Sequence, residues 1–273
     1  MRRILVAVVC LAVTQSALGR DFYVDNVGGD DSRDGSAPTV TGATIGPFRT
    51  IGRALRATKK GDRVILAKTP TPYRGNITLQ GGSHSGYPRM PFTLIGNGAT
   101  LDGRETIPSR AWSHHKGDVY KIRLQYKSYA RLFLDGQAVP MVRVPFSAKK
   151  IPDLAQKQGC IYRGHVYFRT ENGNSPLPYN FSLATQRVGI TLYEVRHVVI
   201  QDLNVVGFQL DGINAHDGVV GAEFINLQSQ NHGRAGFAVT GASSVRIEKC
   251  KSDAKLHTAK PARVVVQDSQ LGM

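Results

Sequence analysis

Apolar positions in the C-terminal third of the chain return at a nearly constant step. Val198-x-Ile200-x-x-Leu203 recurs as Ala222-x-Phe224-x-x-Leu227, Val245-x-Ile247-x-x-Cys250 and Val264-x-Val266-x-x-Ser269, at intervals of 24, 23 and 19 residues. A second column runs in phase with the first: Gly189-Ile190-x-Leu192, Gly212-Ile213-x-Ala215 and Gly236-Phe237-x-Val239, at intervals of 23 and 24. Each unit thus holds two short segments that alternate apolar and polar residues, the period of a strand with one buried face. Neither segment can bury that face alone. Stacked copies bury a continuous column, and each strand pairs with the copies before and after it. An antiparallel sandwich has no reason to keep a constant step, so the pattern predicts a parallel β-solenoid.

Upstream the period is weaker. Asp21-Phe22-Tyr23-Val24 predicts one strand, followed by a Gly- and Asp-rich loop through Gly29-Asp30-Asp31 and Asp34-Gly35-Ser36. Asp25, Asp30, Asp31 and Asp34 lack EF-hand spacing and suit Asx turns better than a cation loop. Ile51, Ala54 and Leu55 fall at i, i+3 and i+4 with arginines opposite, which predicts a short amphipathic helix ended by Gly61-Asp62. Strand-like runs then recur at 64–66, 77–79, 92–95, 99–101, 119–122, 131–134, 139–144 and 166–168. No second helix is predicted. Residues 20–61 therefore form an N-terminal strand, loop and helix, and 62–273 a solenoid with loop excursions near 104–118 and 146–188.

Arg2 and Arg3 precede ten apolar residues, 4–13, and Ala17 and Gly19 stand at the −3 and −1 positions of a cleavage site. That is the layout of a secretory signal peptide cleaved after Gly19, and the run is half the length a bilayer span needs. The expected mature protein is secreted or periplasmic, with 254 residues, a charge of +13 and no membrane span. Of three cysteines, Cys10 leaves with the leader. Cys160 and Cys250 could pair, but Cys250 falls in the apolar column and reads as a buried thiol.

The repeat, together with Tyr23-Val24-Asp25, Pro47-Phe48-Arg49-Thr50-Ile51 and Gly61-Asp62-Arg63-Val64, resembles secreted right-handed parallel β-helix proteins of the pectate-lyase-like class. The resemblance covers nearly all of the mature chain. It implies an all-β, right-handed parallel β-helix with a short N-terminal capping helix at 48–59. The class holds polysaccharide lyases, glycoside hydrolases, epimerases and members without activity. Its lyases commonly use Ca²⁺ held by aspartates, with Lys or Arg as base; no run in this chain matches a lyase subfamily's catalytic motif.

A strongly basic exported protein points to acidic polysaccharide rather than nucleic acid as partner. Residues 146–188 add exposed-type aromatics beside basic groups, among them Tyr162, Arg163 and Tyr167. No Walker loop, Rossmann fingerprint, HExxH or GxSxG occurs, which argues against nucleotide, zincin and serine-hydrolase chemistry. If Ile190, Ile213 and Phe237 point inward, the repeat places Tyr193 beside His216, and Glu194 beside Asp217, about 5 Å apart on adjacent coils. Asp217, Glu194, His216 and Arg234 are the candidate catalytic residues. Asp211, Asn214, Tyr193, His232 and Lys251 are the candidate substrate contacts. Two close carboxylates suit a retaining glycosidase. Asp211 and Asp217, with Glu194, suit Ca²⁺ facing a uronate, with His216 or Arg234 as base. A third reading makes the aspartates turn residues and the protein a non-catalytic glycan-binding or structural module. The last predicted strand lies near the C-terminus with no cap beyond it, so either a partner subunit covers that end, as in a homo-oligomer joined through it, or the gene product is unusually short.

Overall fold

The computed structural model describes residues 19–124, 129–171 and 173–272. The expected signal peptide, residues 1–18, lies outside them. Nearly half of the described chain is strand, arranged around two parallel sheets. The first stacks Asp21–Val24, Arg63–Leu66, Phe92–Asp102, Arg196–Val206, Val220–Ile225, Ser244–Glu248 and Arg263–Gln267 in that order. The second stacks Ile77–Gln80, Val188–Tyr193, Asp211–Asp217, Ala235–Val239 and His257–Thr258. From Arg63–Leu66 onward the strands of these two sheets alternate along the chain, which winds as a parallel β-helix.

The expected columns are the observed registers. Val198, Ala222, Val245 and Val264 are partners in the first sheet, and Ile190, Ile213 and Phe237 in the second. Long strands of the first sheet bend onto a third ladder, where Val206 lies against Gln230 and Lys251 against both Gln228 and Gln270. Asn97, Asp202, Asn226, Lys249 and Asp268 make that bend with φ between 48° and 56°. These left-handed residues stack coil on coil, with Asn226 Nδ2 donating to Asp202 Oδ1 at 2.6 Å. One core cluster runs from Phe22 to Cys250.

The helix forms at Ile51–Ala57 and buries Ile51, Ala54 and Leu55 in that core. Thr50 Oγ1 caps it by accepting from the Arg53 N–H at 3.2 Å. Asp31 in turn accepts from the N–H groups of Arg49 and Thr50, both at 2.9 Å. Asp25, Asp30 and Asp34 each accept from a backbone N–H two residues on, so they are Asx turns.

The expected loop excursions are part of something larger. The described residues of 104–184 form a mainly antiparallel insertion, with one parallel pair between Met141–Val142 and Gly159–Cys160, that also takes in the strand-like runs between them. One sheet pairs Arg104–Thr106, Phe181–Ala184, Leu132–Leu134 and Gln137–Ala138; another joins Ser113–Lys116, Val119–Arg123, His165–Arg169, Gly159–Tyr162 and Met141–Val142. Trp112, Phe168 and Phe181 centre a core between them, and Cys160, Tyr167 and Leu154 form a smaller one on the far side. Later coils close the same corner with four residues, 207–210 and 231–234. Both ends of the insertion meet at Gly103, whose carbonyl accepts from the N–H groups of Thr185 and Gln186 at 3.1 and 3.3 Å.

Cys160 and Cys250 are both free and buried, one in the insertion and one in the coil core. Burial raises each thiol to about 11. Among the described residues no helix is long and apolar enough to cross a membrane.

Candidate functional site

The candidate residues fall at the two ends of the strand Asp211–Asp217 and on other faces of the coil. Ile213 and Ala215 enter the core, which turns Asn214 and His216 outward. At the start of the strand, Asp211 is fully buried. Arg234, one coil on, grips it with both prongs of its guanidinium: Nε to Oδ1 at 2.9 Å and Nη2 to Oδ2 at 2.6 Å. Asn214 Nδ2 also donates to Oδ2, at 3.1 Å, while Asn214 Oδ1 is buried with no hydrogen-bond partner. The bond to Asp211 raises the Arg234 pKa above its already high value. Arg234 is therefore a fixed cation and unsuited to act as a base, contrary to the expectation from sequence. It positions Asp211 and Asn214 instead.

At the far end of the strand, Tyr193, Glu194, His216 and Asp217 do come together, in a changed register. Leu192 pairs with Ala215, and the next partners are Tyr193 and Asp217, because a bulge at His216 adds one residue. Glu194 is thus displaced from its expected alignment with Asp217. It takes the left-handed turn, φ 54°, that Gly218 (62°) and Gly241 (60°) make in the next two coils. A glutamate there carries steric strain that glycine avoids. The Glu194 N–H donates to the Asp217 carbonyl at 2.8 Å. The Tyr193 ring lies 6.1 Å from that of His216. The negative charge of Glu194, and then the hydrogen bond with its carboxylate, raise the Tyr193 phenol pKa; Asp217 adds to this more weakly. Asp217 Oδ1 accepts from the N–H groups of Gly218 at 2.9 Å and Ala242 at 2.8 Å, tying two successive corners together.

Two expectations do not hold. Asp211, Asp217 and Glu194 do not form a Ca²⁺ site: Asp211 is saturated by Arg234 and Asn214, and among the described residues no three His, Cys, Asp or Glu side chains converge as a metal-binding group. His232 is not a substrate contact. It is 2% exposed, accepts from the Phe208 N–H at Nδ1 (3.2 Å) and donates from Nε2 to Ser229 Oγ (3.0 Å), which donates to the Gly236 carbonyl (2.8 Å). Desolvation lowers its pKa to about 3, so it is a neutral structural bridge. Lys251 is exposed on the third ladder, between Gln228 and Gln270.

The insertion brings residues to this neighbourhood that the repeat did not reveal. Arg131 Nη1 donates to the His232 carbonyl at 2.8 Å. A Cβ placed on Gly233 would lie 2.5 Å from Tyr129 Cβ, so the insertion seats closely on the corner that carries Arg234. A groove of about 610 Å³ opens there, lined by Tyr129, Arg131, Arg143, Ile161 and Gly233. The only sequence signal was the break in the repeat.

No protein-family model matches the chain, and no curated protein matches it. Solved structures of similar shape exist. The complex of XylC with xylose aligns with a TM-score of 0.52 at 12% identity, over 91% of this chain and 60% of that one. The GH136 lacto-N-biosidase from Eubacterium ramulus aligns at 0.45 and 10% identity, over 92% and 41%. Pectate lyase Pel9A aligns at 0.45 and 13% identity, over 93% and 54%. The chain thus spans about 60% of the XylC chain, and that likeness is one of fold.

Proposed function

We propose that this is an exported, carbohydrate-active, right-handed β-helix protein that takes an acidic polysaccharide along the outer face of its second sheet and cleaves it by hydrolysis. Right-handed winding is the general hand of parallel crossovers, and the helix Ile51–Ala57 caps the first coil. The observation that carries the chemical reading is the exposed corner where Glu194, held in a strained turn, meets Tyr193, His216 and Asp217. Strain of this kind concentrates at functional sites. Glu194 is the proton-transferring group and Asp217, oriented by two backbone donors, its carboxylate partner. Hydrolysis is favoured over β-elimination because Arg234 is bound to Asp211 and, among the described residues, the acidic side chains do not gather around a cation position.

A second reading is a non-catalytic glycan-binding module. It is favoured by Asp217 Oδ1, which is committed to the corners of two coils. The test is turnover on polygalacturonate, alginate and neutral glycans, with Ca²⁺ and with chelator, monitoring new reducing ends and the absorbance of unsaturated products. Hydrolysis gives reducing ends without absorbance, unaffected by chelator, and Glu194→Gln lowers the rate about 10²-fold or more. Unsaturated product that requires Ca²⁺ would reverse the choice of reaction. Binding without turnover on every polymer establishes the second reading.

A further inference from the structure

The insertion carries a cationic surface that the corner at Glu194 does not use. Residues 104–184 hold thirteen Lys and Arg against five Asp and Glu, a net +8 of the whole chain's +15. In its five-stranded sheet, Arg123 is the register partner of His165, and His165 of Tyr162; Lys121 is the partner of Tyr167 one row along. Directly opposed residues share a face, so Lys121, Arg123, Tyr162 and His165 stand together. Tyr167 forms the floor, its ring 5.0 Å from His115, 6.2 Å from His165 and 6.4 Å from Tyr162. Arg163 projects from the hairpin turn beside them, its guanidinium 5.0 Å from the Tyr162 ring.

Two features separate this face from an ordinary solvated one. Within the insertion, ion pairs among the described residues join Lys157 to Glu171 and Arg169 to Asp118, and none involves Lys121, Arg123 or Arg163. The turn Arg163-Gly164 has φ of 46° and 77°, a two-residue hairpin connection that favours Asn or Gly at its first position. An arginine there is a poor turn residue, which leaves its side chain as the reason for its use.

We propose that this face binds the carboxylates of a polyuronate chain, as a second anchoring site apart from the cleavage corner; the proposal rests on the reading of the protein as acting on acidic polysaccharide. Guanidinium groups meet carboxylates in paired hydrogen bonds, and Lys121 adds a point charge along the same strand. Nucleic acid fits less well. Base stacking needs open aromatic faces, whereas Tyr162 is covered by Arg163, and Tyr167 is buried and met edge-on by His115.

The test is equilibrium binding of the full chain to polygalacturonate across a salt series, comparing wild type with Arg123→Ser/Arg163→Asn. Arg163→Asn gives the turn a favoured residue, so the single variant keeps or raises the melting temperature and separates binding from folding. The double variant is expected to bind at least 10-fold more weakly at 0.1 M salt, with a shallower dependence of log Kd on log salt. Its rate on short oligogalacturonates is expected to be unchanged. Unaltered polymer binding in the double variant overturns the proposal, even where turnover shows the cleavage corner to be correct. Equal binding of neutral dextran, or tighter binding of duplex DNA at matched salt, also overturns it. If wild type turns nothing over but loses polymer binding through these two substitutions, the anchoring surface holds and the hydrolytic reading falls.

Discussion

In the coils, three acidic side chains are ion-paired with an arginine from the neighbouring turn. Asp21 meets Arg63 at 2.6 Å, Asp102 meets Arg74 at 3.2 Å, and Asp211 meets Arg234 at 2.6 Å. The first two pairs join direct register partners, so the charges hold neighbouring strands in step. In the insertion most of the cations face solvent, and its apolar residues form two small clusters where the coils share one continuous core. One region uses charge to fix its own register; the other leaves charge available to something outside the molecule.

The largest test of that contrast is in the cores. Phe224→Ala, in the stacked column, is expected to cost about 3–5 kcal/mol and to lower the whole unfolding transition. Phe168→Ala, in the insertion, should open only residues 104–184, with amide exchange in the parallel ladders still slow. A single shared transition for both variants would break the distinction. Next come the charges. Arg234→Met leaves Asp211 buried without its partner and is expected to cost about 3 kcal/mol. Lys157→Met, which removes a solvent-screened pair in the insertion, should leave the denaturation midpoint essentially unchanged. Chemical denaturation of both variants decides whether the coil pair is structural.

His232 gives the coils a pH dependence on the acid side. Its folded pKa, about 3, lies below the ordinary 6.5, so the unfolded chain binds the extra proton between those values. Stability from this group is full above pH 6.5 and falls as pH drops, by about 1.4 kcal/mol per unit once below it. His232→Gln should flatten that part of a urea-midpoint series from pH 7 to pH 4. The smallest effect is Arg163→Asn, expected to raise stability by about 0.5 kcal/mol through the turn alone.

The coils were legible because parallel stacking repeats one kind of side chain at one step, as at Ile190, Ile213 and Phe237. The helix was legible for a similar reason: its three buried positions carry the helical period. The bulge at His216 was not, since one added residue leaves the alternation on either side intact while moving Asp217 and Gly218 one place along the ladder. Gly218 and Gly241, aligned with Glu194, were the available clue to the turn. The ion pair of Arg234 with Asp211 was hidden because Arg234 lies in a corner outside the repeat. The insertion could not be read as one body, because antiparallel strands choose partners by local turns and keep no common step. Its strands were found singly, but not their pairing.

Thr185 and Gln186 return to within hydrogen-bonding distance of Gly103, where the excursion began. The coil therefore sees a detour of some eighty residues as a short bridge. Such a junction works as a socket: one appendage can be removed or exchanged there while the coils on either side keep their phase. A lineage, or an engineer, could refit the molecule for another polymer by changing what is plugged in and leaving the frame as it stands.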